Sequence, residues 1–339
     1  MKKRLLPIVI IALIGGITGA FVIPRYLQEY KKSVAEKRIL YIPPGSTYVQ
    51  MLDTVATAVG DMKSFAKVAQ RASLNENFKP GRYIFTPDKS NKDLVRILAM
   101  GWESPMMLTL SGNIRGLEKL SGILGKKLAA DSAAFAEYFC NEDVWTGCGF
   151  NKENFMGMFL PNTYEVYWTI TPQKFVERMK KEYDKFWNVD RRAKAEEIGL
   201  TPQQVSVLAS IVCEETNYGP EMPRVAGVYM NRLKKGMKLD ADPTVKFALG
   251  DPTIKRILFR HLKVDSPYNT YKNQGLPPGP ITIPSIKGID AVLGYESHNY
   301  LYFCASPAMD GTHRFARTLV EHNRNAREYQ AVLNKKKIK

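Results

Sequence analysis

The sequence predicts an α+β protein on three observations. Short strand-like segments, Arg38–Ile42, Arg82–Thr86 and Met106–Leu110, alternate with longer stretches whose apolar residues recur at helical spacing. No self-similarity at a solenoid period links these stretches. A run of 19 residues without a charge, Leu5–Ile23, precedes them all. The expected architecture is an N-terminal transmembrane anchor, a small βααβ module and a mixed α/β domain. In residue numbers, 1–24 are a cytoplasmic stub and anchor and 25–37 a juxtamembrane linker. The module covers 38–105, the mixed domain 106–335 with its most informative stretches within 201–323, and 336–339 are a basic tail.

At about 1.5 Å per helical residue the charge-free run just spans a bilayer core of roughly 30 Å. Lys2, Lys3 and Arg4 precede it and favour a cytoplasmic N-terminus, although Arg25, Lys31 and Lys32 follow it. Thr18-Gly19-Ala20 offers the small-residue site a cleaved signal peptide needs. The apolar run nevertheless continues through Phe21-Val22-Ile23, so an uncleaved single-pass anchor is expected. The rest of the chain then lies on the outer, periplasmic side of the cytoplasmic (inner) membrane. Lys plus Arg number 49 against 33 Asp plus Glu, a net charge of +16. That balance suits an anionic surface or polymer. Zinc-finger spacing and RNP-type aromatic strands are absent, so nucleic acid is not an expected partner. His261, His298, His313 and His322 form no i, i+4 pair, and the four cysteines lack metal spacing, so neither metal nor cofactor is expected. Cys140 and Cys148 flank a loop and are candidates to pair in an oxidising compartment, and Cys304 reads as a core residue.

In chain order, Arg38–Ile42 is a strand ended by Pro43-Pro44-Gly45. A helix with Val49, Leu52, Ala56 and Val59 on one face follows, then a second at Met62–Ala72 with Phe65, Val68 and Ala69 inward. Pro80-Gly81 turns the chain into Arg82–Thr86. This strand–helix–helix–strand order resembles a LysM-like module, a small fold that grips glycan chains; a spacing domain is the alternative. Ser90–Met100 is a helix capped by Ser90, with Asp93 in its first turn. Leu117–Leu128 and Ser132–Cys140 are helical. Thr171–Trp187 is a long amphipathic helix opened by Thr171-Pro172.

The most informative helix is Thr201–Thr216. Thr201 is a good N-cap, Pro202 suits the first helical position and Gln204 completes a capping box. Val205, Leu208, Ile211 and Val212 form an apolar stripe, and Glu215 falls in its middle. Glu214 sits at the stripe's edge and Cys213 points roughly the opposite way. A carboxylate on a core-facing stripe is costly unless paired or protonated. Desolvation raises its pKa, as a general acid at neutral pH requires. A helix end whose Glu turns out to solvent or pairs with an Arg is the plainer alternative. A second helix, Met222–Lys235, has Val225, Val228, Tyr229 and Leu233 inward and Gly236 as its stop, with Asn231 and Arg232 near its C-terminal end. Asp242 is placed to cap a helix starting at Pro243. Tyr268–Ile281 is a long, proline-stiffened loop whose Tyr and Asn side chains suit a sugar, and loops of this length are commonly functional. Asn299–Ala305 reads as a buried strand. Gly311–Phe315 and Glu321-His322-Asn323 follow, the latter at the head of a last helix.

Ala209-Ser210-Ile211-Val212 with Glu215-Thr216, Asn231-Arg232-Leu233 with Gly236-Met237, and Asp242-Pro243-Thr244-Val245 resemble the MltG (YceG-like) endolytic murein transglycosylases. The Tyr268–Pro280 loop, Tyr300-Leu301-Tyr302-Phe303, Gly311–Phe315 and Glu321-His322-Asn323 are similar in the same order, and Gly81–Pro87 resembles the family's LysM-like part. The resemblance spans nearly the whole chain. It implies a membrane-anchored lyase that cleaves the MurNAc–GlcNAc bond inside nascent peptidoglycan strands, leaving 1,6-anhydroMurNAc ends and so terminating or releasing them. The implied partners are glycan strands and membrane glycan synthases. The motif's catalytic Glu falls on Glu215, the residue the helical stripe selects independently. Candidate substrate contacts are Asn231, Tyr268, Asn269 and Tyr271, with Arg232, Asp240, Asp242 and Thr244 from the matched motifs and His313 and Glu321 as further candidates. Cys213 stands where the motif carries its first Glu, Asp240-Ala241 where Gln-Thr or Gln-Ser is usual, and Asn162 where an Asp is common. Two other readings stay open: a hydrolytic muramidase using Asp240 or Asp242 to activate water, and a non-catalytic peptidoglycan-binding or assembly protein.

Overall fold

The computed structural model describes residue 19, residues 21–251, residue 254 and residues 257–335. Most of the expected anchor and the basic tail lie outside the described residues. Among the described residues no helix is long and apolar enough to cross a membrane. The fold is mixed, with helices and, among the described residues, three small two-stranded sheets. The chain divides into two compact units, the first built from residues up to 108 with 127–130 and 165–170, the second from the remainder.

In the first unit β1 (Arg38–Ile42) pairs antiparallel with β2 (Gly81–Phe85), with Leu40 opposite Tyr83. Strand alternation turns Leu40, Ile42, Tyr83 and Phe85 inward. They meet Met51 and Val55 of α1 (Tyr48–Ala56), Phe65 and Val68 of α2 (Met62–Arg71), and Leu94 and Leu98 of α4 (Asn91–Met100). Thr47 and Gln50 form a capping box on α1, and Ser90 and Asp93 form another on α4. The short α3 (Leu74–Asn77) is a turn the sequence does not announce, because four residues carry no readable apolar period.

The second unit contains a cluster of aromatic side chains from α6 (Ser132–Cys140), α8 (Pro172–Phe186) and a 3-10 turn at Phe155–Met158. Phe135, Phe139, Phe155, Phe159 and Phe175 are all buried there, with ring centroids 5.4–6.2 Å apart along the cluster. Around it lie α5 (Leu117–Gly125), α7 (Glu142–Gly147) and α9 (Val189–Glu197). A further sheet pairs β3 (Met106–Leu110) with β4 (Asn162–Val166).

Helix α10 (Pro202–Glu215) has the predicted Thr201–Gln204 capping box, but it is not amphipathic. Every residue from Val205 to Cys213 is buried. The helix is enclosed by α9, α11 (Met222–Lys234), α12 (Asp242–Leu249) and α13 (Ile286–Leu293). Its small polar residues are satisfied internally: the Ser210 hydroxyl donates to Val207 O at 2.7 Å and accepts from Ile281 N at 3.0 Å. Cys213, expected to face away from the stripe, is 6% exposed and packs against Ser285 and Gly288. A Cβ at Gly288 would collide with its Sγ and approach Ala209 O. Gly288→Ala is therefore expected to destabilise the protein by about 1–3 kcal/mol, read by denaturant unfolding, with Cys213→Ala in the same chain restoring part of the loss.

Three other expectations change. Strand β5 is Tyr302–Ala305, paired among the described residues only with β6 (His313–Ala316), and its residues are half-buried. The hairpin packs on α11 and the last helix but has no third strand beside it among the described residues, so Cys304 is half-buried and not in the core. Cys140 and Cys148 are free thiols. Asp242 does not cap α12: Ala241 holds the cap position without a side-chain bond, and Asp242 is the first helical residue. The last helix is α14 (Leu319–Lys335).

Candidate active site

Glu215 is the last residue of α10, and Thr216 leaves the helix with extended backbone. The side chain is half-buried and lines a cavity of about 490 Å³. The walls come from the ends of α10 and α11, the Leu239–Asp242 turn, Tyr271, the β5–β6 hairpin and the start of α14. Burial pushes the Glu215 carboxyl up to about 7, and the negative charges of Asp242 and Glu214 act in the same direction. Its place at the negative end of a helix also disfavours the carboxylate. The buried Tyr229 hydroxyl opposes them by donating to Oε1 at 2.7 Å. The Tyr229 phenol is itself held well above its ordinary range by burial and by the neighbouring carboxyl, so it remains a donor. Neighbouring Glu214 turns aside and pairs with Arg115.

A stability signature follows. The folded carboxyl titrates near 7 and its ordinary value is 4.5. The folded chain therefore keeps a proton that the unfolded chain releases. This contribution is full below pH 4.5 and is lost as the pH rises through about 7. Glu215→Gln removes the penalty of burying a carboxylate and keeps an acceptor for Tyr229. The variant is expected to exceed the parent by up to about 3 kcal/mol at pH 8 and to match it at pH 4, by urea unfolding at both values.

Arg232 organises the cavity floor. It is 7% exposed, and its guanidinium donates to Leu301 O at 2.7 Å, Lys238 O and Leu239 O at 3.0 Å, and Asp240 Oδ2 at 2.9 Å. It also lies over the Tyr302 ring, 5.0 Å from the centroid. One side chain thereby ties α11 to the 238–240 turn and to the start of β5. Asp240 has φ 50°, left-handed for a non-glycine residue, and the Arg232 bond holds it there. Asp242 lines the cavity with Oδ1 accepting from the Tyr271 hydroxyl at 2.6 Å. It opens α12, where a negative charge is favoured.

Of the residues singled out from sequence, Glu215, Arg232, Asp240, Asp242, Tyr271 and His313 come together in this cavity. The others do not line it. Thr244 is fully buried and bonds Ala241 O at 2.7 Å and Thr270 Oγ1 at 2.8 Å. The fully buried Asn269 spends its amide on Leu262 O and Val264 O and accepts from Tyr271 N, which sets the path of the loop. Asn231 donates to His298 O and Tyr300 O and so anchors the chain entering β5. Tyr268 packs on Phe247, with ring centroids 4.7 Å apart. Glu321 accepts from Arg317 N and Thr318 N at the start of α14. Each is a polar side chain on the same segments as cavity residues, used instead to pin those segments.

Two participants are not evident from sequence. Tyr229 reads there as an inward-facing core residue, and nothing local signals its bond to Glu215. Glu221, 8% exposed, accepts from the His313 backbone N–H with both oxygens at 3.1 Å and contacts His313 Nδ1 at 2.9 Å. These contacts orient the His313 ring, leaving Nε2 without a hydrogen bond among the described residues. The residues are 92 positions apart, so no sequence spacing announces the pair. No group of His, Cys, Asp and Glu among the described residues could hold a metal ion.

A family model described as the YceG-like family matches residues 40–328. Over 137 residues the chain is 39% identical to the endolytic murein transglycosylase of Bacillus subtilis (strain 168), covering 40% of this chain and 37% of that protein. Over 177 residues it is 28% identical to the endolytic murein transglycosylase of Streptococcus pneumoniae (strain R6), covering 51% of this chain and 32% of that one. The chain spans about a third of the length of these curated relatives. The crystal structure of a YceG-like protein from Listeria monocytogenes is similar at a TM-score of 0.57 and 26% identity, over 85% of this chain and 98% of that one.

Proposed function

This chain belongs to the YceG-like family, and from that premise we propose that it is an endolytic murein transglycosylase. It cleaves the MurNAc–GlcNAc bond inside peptidoglycan strands and leaves 1,6-anhydroMurNAc ends. The observation that carries this reading is a single half-buried carboxyl, raised to about 7, hydrogen-bonded by Tyr229 and open to a polar cavity. With Oε1 accepting from Tyr229, Oε2 carries the acid proton. Glu215 gives that proton to the glycosidic oxygen as the C1–O bond breaks through an oxocarbenium-like state. The GlcNAc hydroxyl leaves. The Glu215 carboxylate then takes the proton of the MurNAc 6-hydroxyl as O6 bonds to C1. One carboxyl acts as acid and then as base, and the proton count closes without water. Tyr229 supports both steps, because its hydrogen bond strengthens as charge appears on the carboxylate. Tyr271, Asp242 and His313 Nε2 line the space where hydroxyl and N-acetyl groups of the strand would be held.

Residues 38–105 form a LysM-like module that holds the strand, and the Leu5–Ile23 run anchors the chain in the cytoplasmic membrane with the module and the 106–335 domain outside. That location gives access to nascent strands and to glycan synthases, whose products the enzyme would terminate or release.

The test is the pH dependence of strand cleavage. The protonated acid is required, so the rate falls as the pH rises through about 7. Removing the donor that lowers the Glu215 pKa moves this limb upward. Tyr229→Phe should shift it by on the order of 1 unit and slow cleavage roughly tenfold at the optimum. Titration of an unrelated group predicts instead an unmoved limb.

A further inference from the structure

We propose that a second cavity of the same unit, bounded by β6 and the first turns of α14, binds the oxyanion of a carboxylate- or phosphate-bearing group. The cavity holds about 380 Å³ and is lined by Tyr300, Arg314, Phe315, Arg317, Glu321, Arg324 and Asn325. Three exposed arginines thus border one small space. Arg314 is paired with Glu328. Arg317 stands 5.9 Å from the Tyr300 ring centroid, and neither it nor Arg324 has an ion pair within 4.0 Å among the described residues. The Glu321 carboxylate, kept ionised by the backbone N–H groups of Arg317 and Thr318, offsets one of the two remaining positive charges and leaves the other.

The independent observation is Asn325. It is 8% exposed, lines this cavity, and its amide makes no hydrogen bond to any described residue. The amide atoms are not sealed off from solvent, so they stay open to a ligand oxygen entering the cavity. A ligand oxygen accepting from Asn325 Nδ2 supplies a partner. The remaining ligand oxygens face Arg317 and Arg324, whose planar donors match carboxylate and phosphate. The Tyr300 and Phe315 rings receive the apolar part of the group carrying the oxyanion.

A run of tilted and edge-on rings links the cavity to the active site. Tyr300 lies 5.7 Å from Phe315, Phe315 lies 6.0 Å from Phe303, and Phe303 lies 5.9 Å from Tyr229, the donor to Glu215. Residues of β6 and α14 are shared out between the two sites. His313 and His322 line the Glu215 cavity, whereas Arg314, Arg324 and Asn325 line this one. A strand bound at Glu215 can therefore extend a side branch here. The peptide stems of peptidoglycan carry carboxylates, which makes them the source of the oxyanion; that identification rests on the function proposed above, and the oxyanion chemistry does not.

The experiment uses the full chain with Glu215→Gln, so that strands are not cut. In one arm, inorganic phosphate and N-acetyl-D-alanine are titrated while the Asn325 side-chain amide is followed by NMR. Saturable shifts are expected with both probes, weakened roughly tenfold or more by Arg317→Gln with Arg324→Gln. Absence of saturable shifts, or shifts the double variant leaves unchanged, overturns the site. In the other arm, strands with stems and strands stripped of them are compared for binding. Stems should tighten binding by about an order of magnitude, and the double variant should erase that difference while leaving stripped strands unaffected. Equal binding of both strand types beside a positive first arm overturns the stem as the source and leaves a site for free oxyanions. Failure of either strand to bind counts against the proposed function, and the first arm still decides the site.

Discussion

Glu215→Gln is expected to abolish strand cleavage, lowering the rate by about 10²–10⁴-fold while leaving strand binding in place. The substitution keeps the shape of the side chain and an acceptor for the Tyr229 hydroxyl, 2.7 Å from Oε1 in the parent. It removes the only thing the mechanism asks of this residue, a proton that can leave and return. The loss belongs in kcat and not in KM, since the proton moves only in the reacting complex. Time courses with purified strands, beside a binding measurement on the same variant, check both halves. A fold defect cannot explain the loss, because the variant is expected to be the more stable protein above pH 7.

The largest stability effect is expected at Arg232. Arg232→Ala leaves three backbone carbonyls and the Asp240 carboxylate without their shared donor and opens a void beneath Tyr302. Losing a buried guanidinium that serves three backbone carbonyls costs about 2–4 kcal/mol, and the exposed Asp240 carboxylate adds little. For a protein of this size, that is a fall in melting temperature on the order of 10 °C. Arg232→Lys should recover less than half, since a single ammonium cannot reach Leu301 O on one side and the 238–240 turn on the other. Calorimetry of the three proteins checks the order. Equal melting temperatures for Arg232→Lys and the parent would show that charge, not the shape of the guanidinium, holds the floor.

How far the sequence was legible depends on the range of the interactions involved. Helix α10 is readable end to end, because Thr201, Pro202 and Gln204 specify its start within four residues. Glu215 is readable for the same reason: an acidic residue on a short-range apolar pattern is a local contradiction, and the structure contains it by raising the carboxyl toward neutrality. What fails is whatever depends on distant partners. The apolar stripe of α10 predicts one buried face, yet the helix is buried all round by neighbours whose arrangement no local period encodes. The Glu221–His313 pair joins residues 92 apart. Asn231, Asn269 and Thr244 are polar residues in suggestive segments, but whether an amide or hydroxyl faces a ligand or a backbone carbonyl is decided by where the chain returns. Tyr229 shows the converse, an inward-facing aromatic whose one polar atom reaches the acid.

The central claim is that Glu215 drives an intramolecular closure of the sugar and not attack by water. Mass spectrometry of the products of purified glycan strands, with the parent and Glu215→Gln side by side, tests it most directly. Internal fragments ending in 1,6-anhydroMurNAc, absent with the variant, are the predicted result. Fragments with ordinary reducing ends would contradict it and turn attention to Asp240 and Asp242 as activators of water.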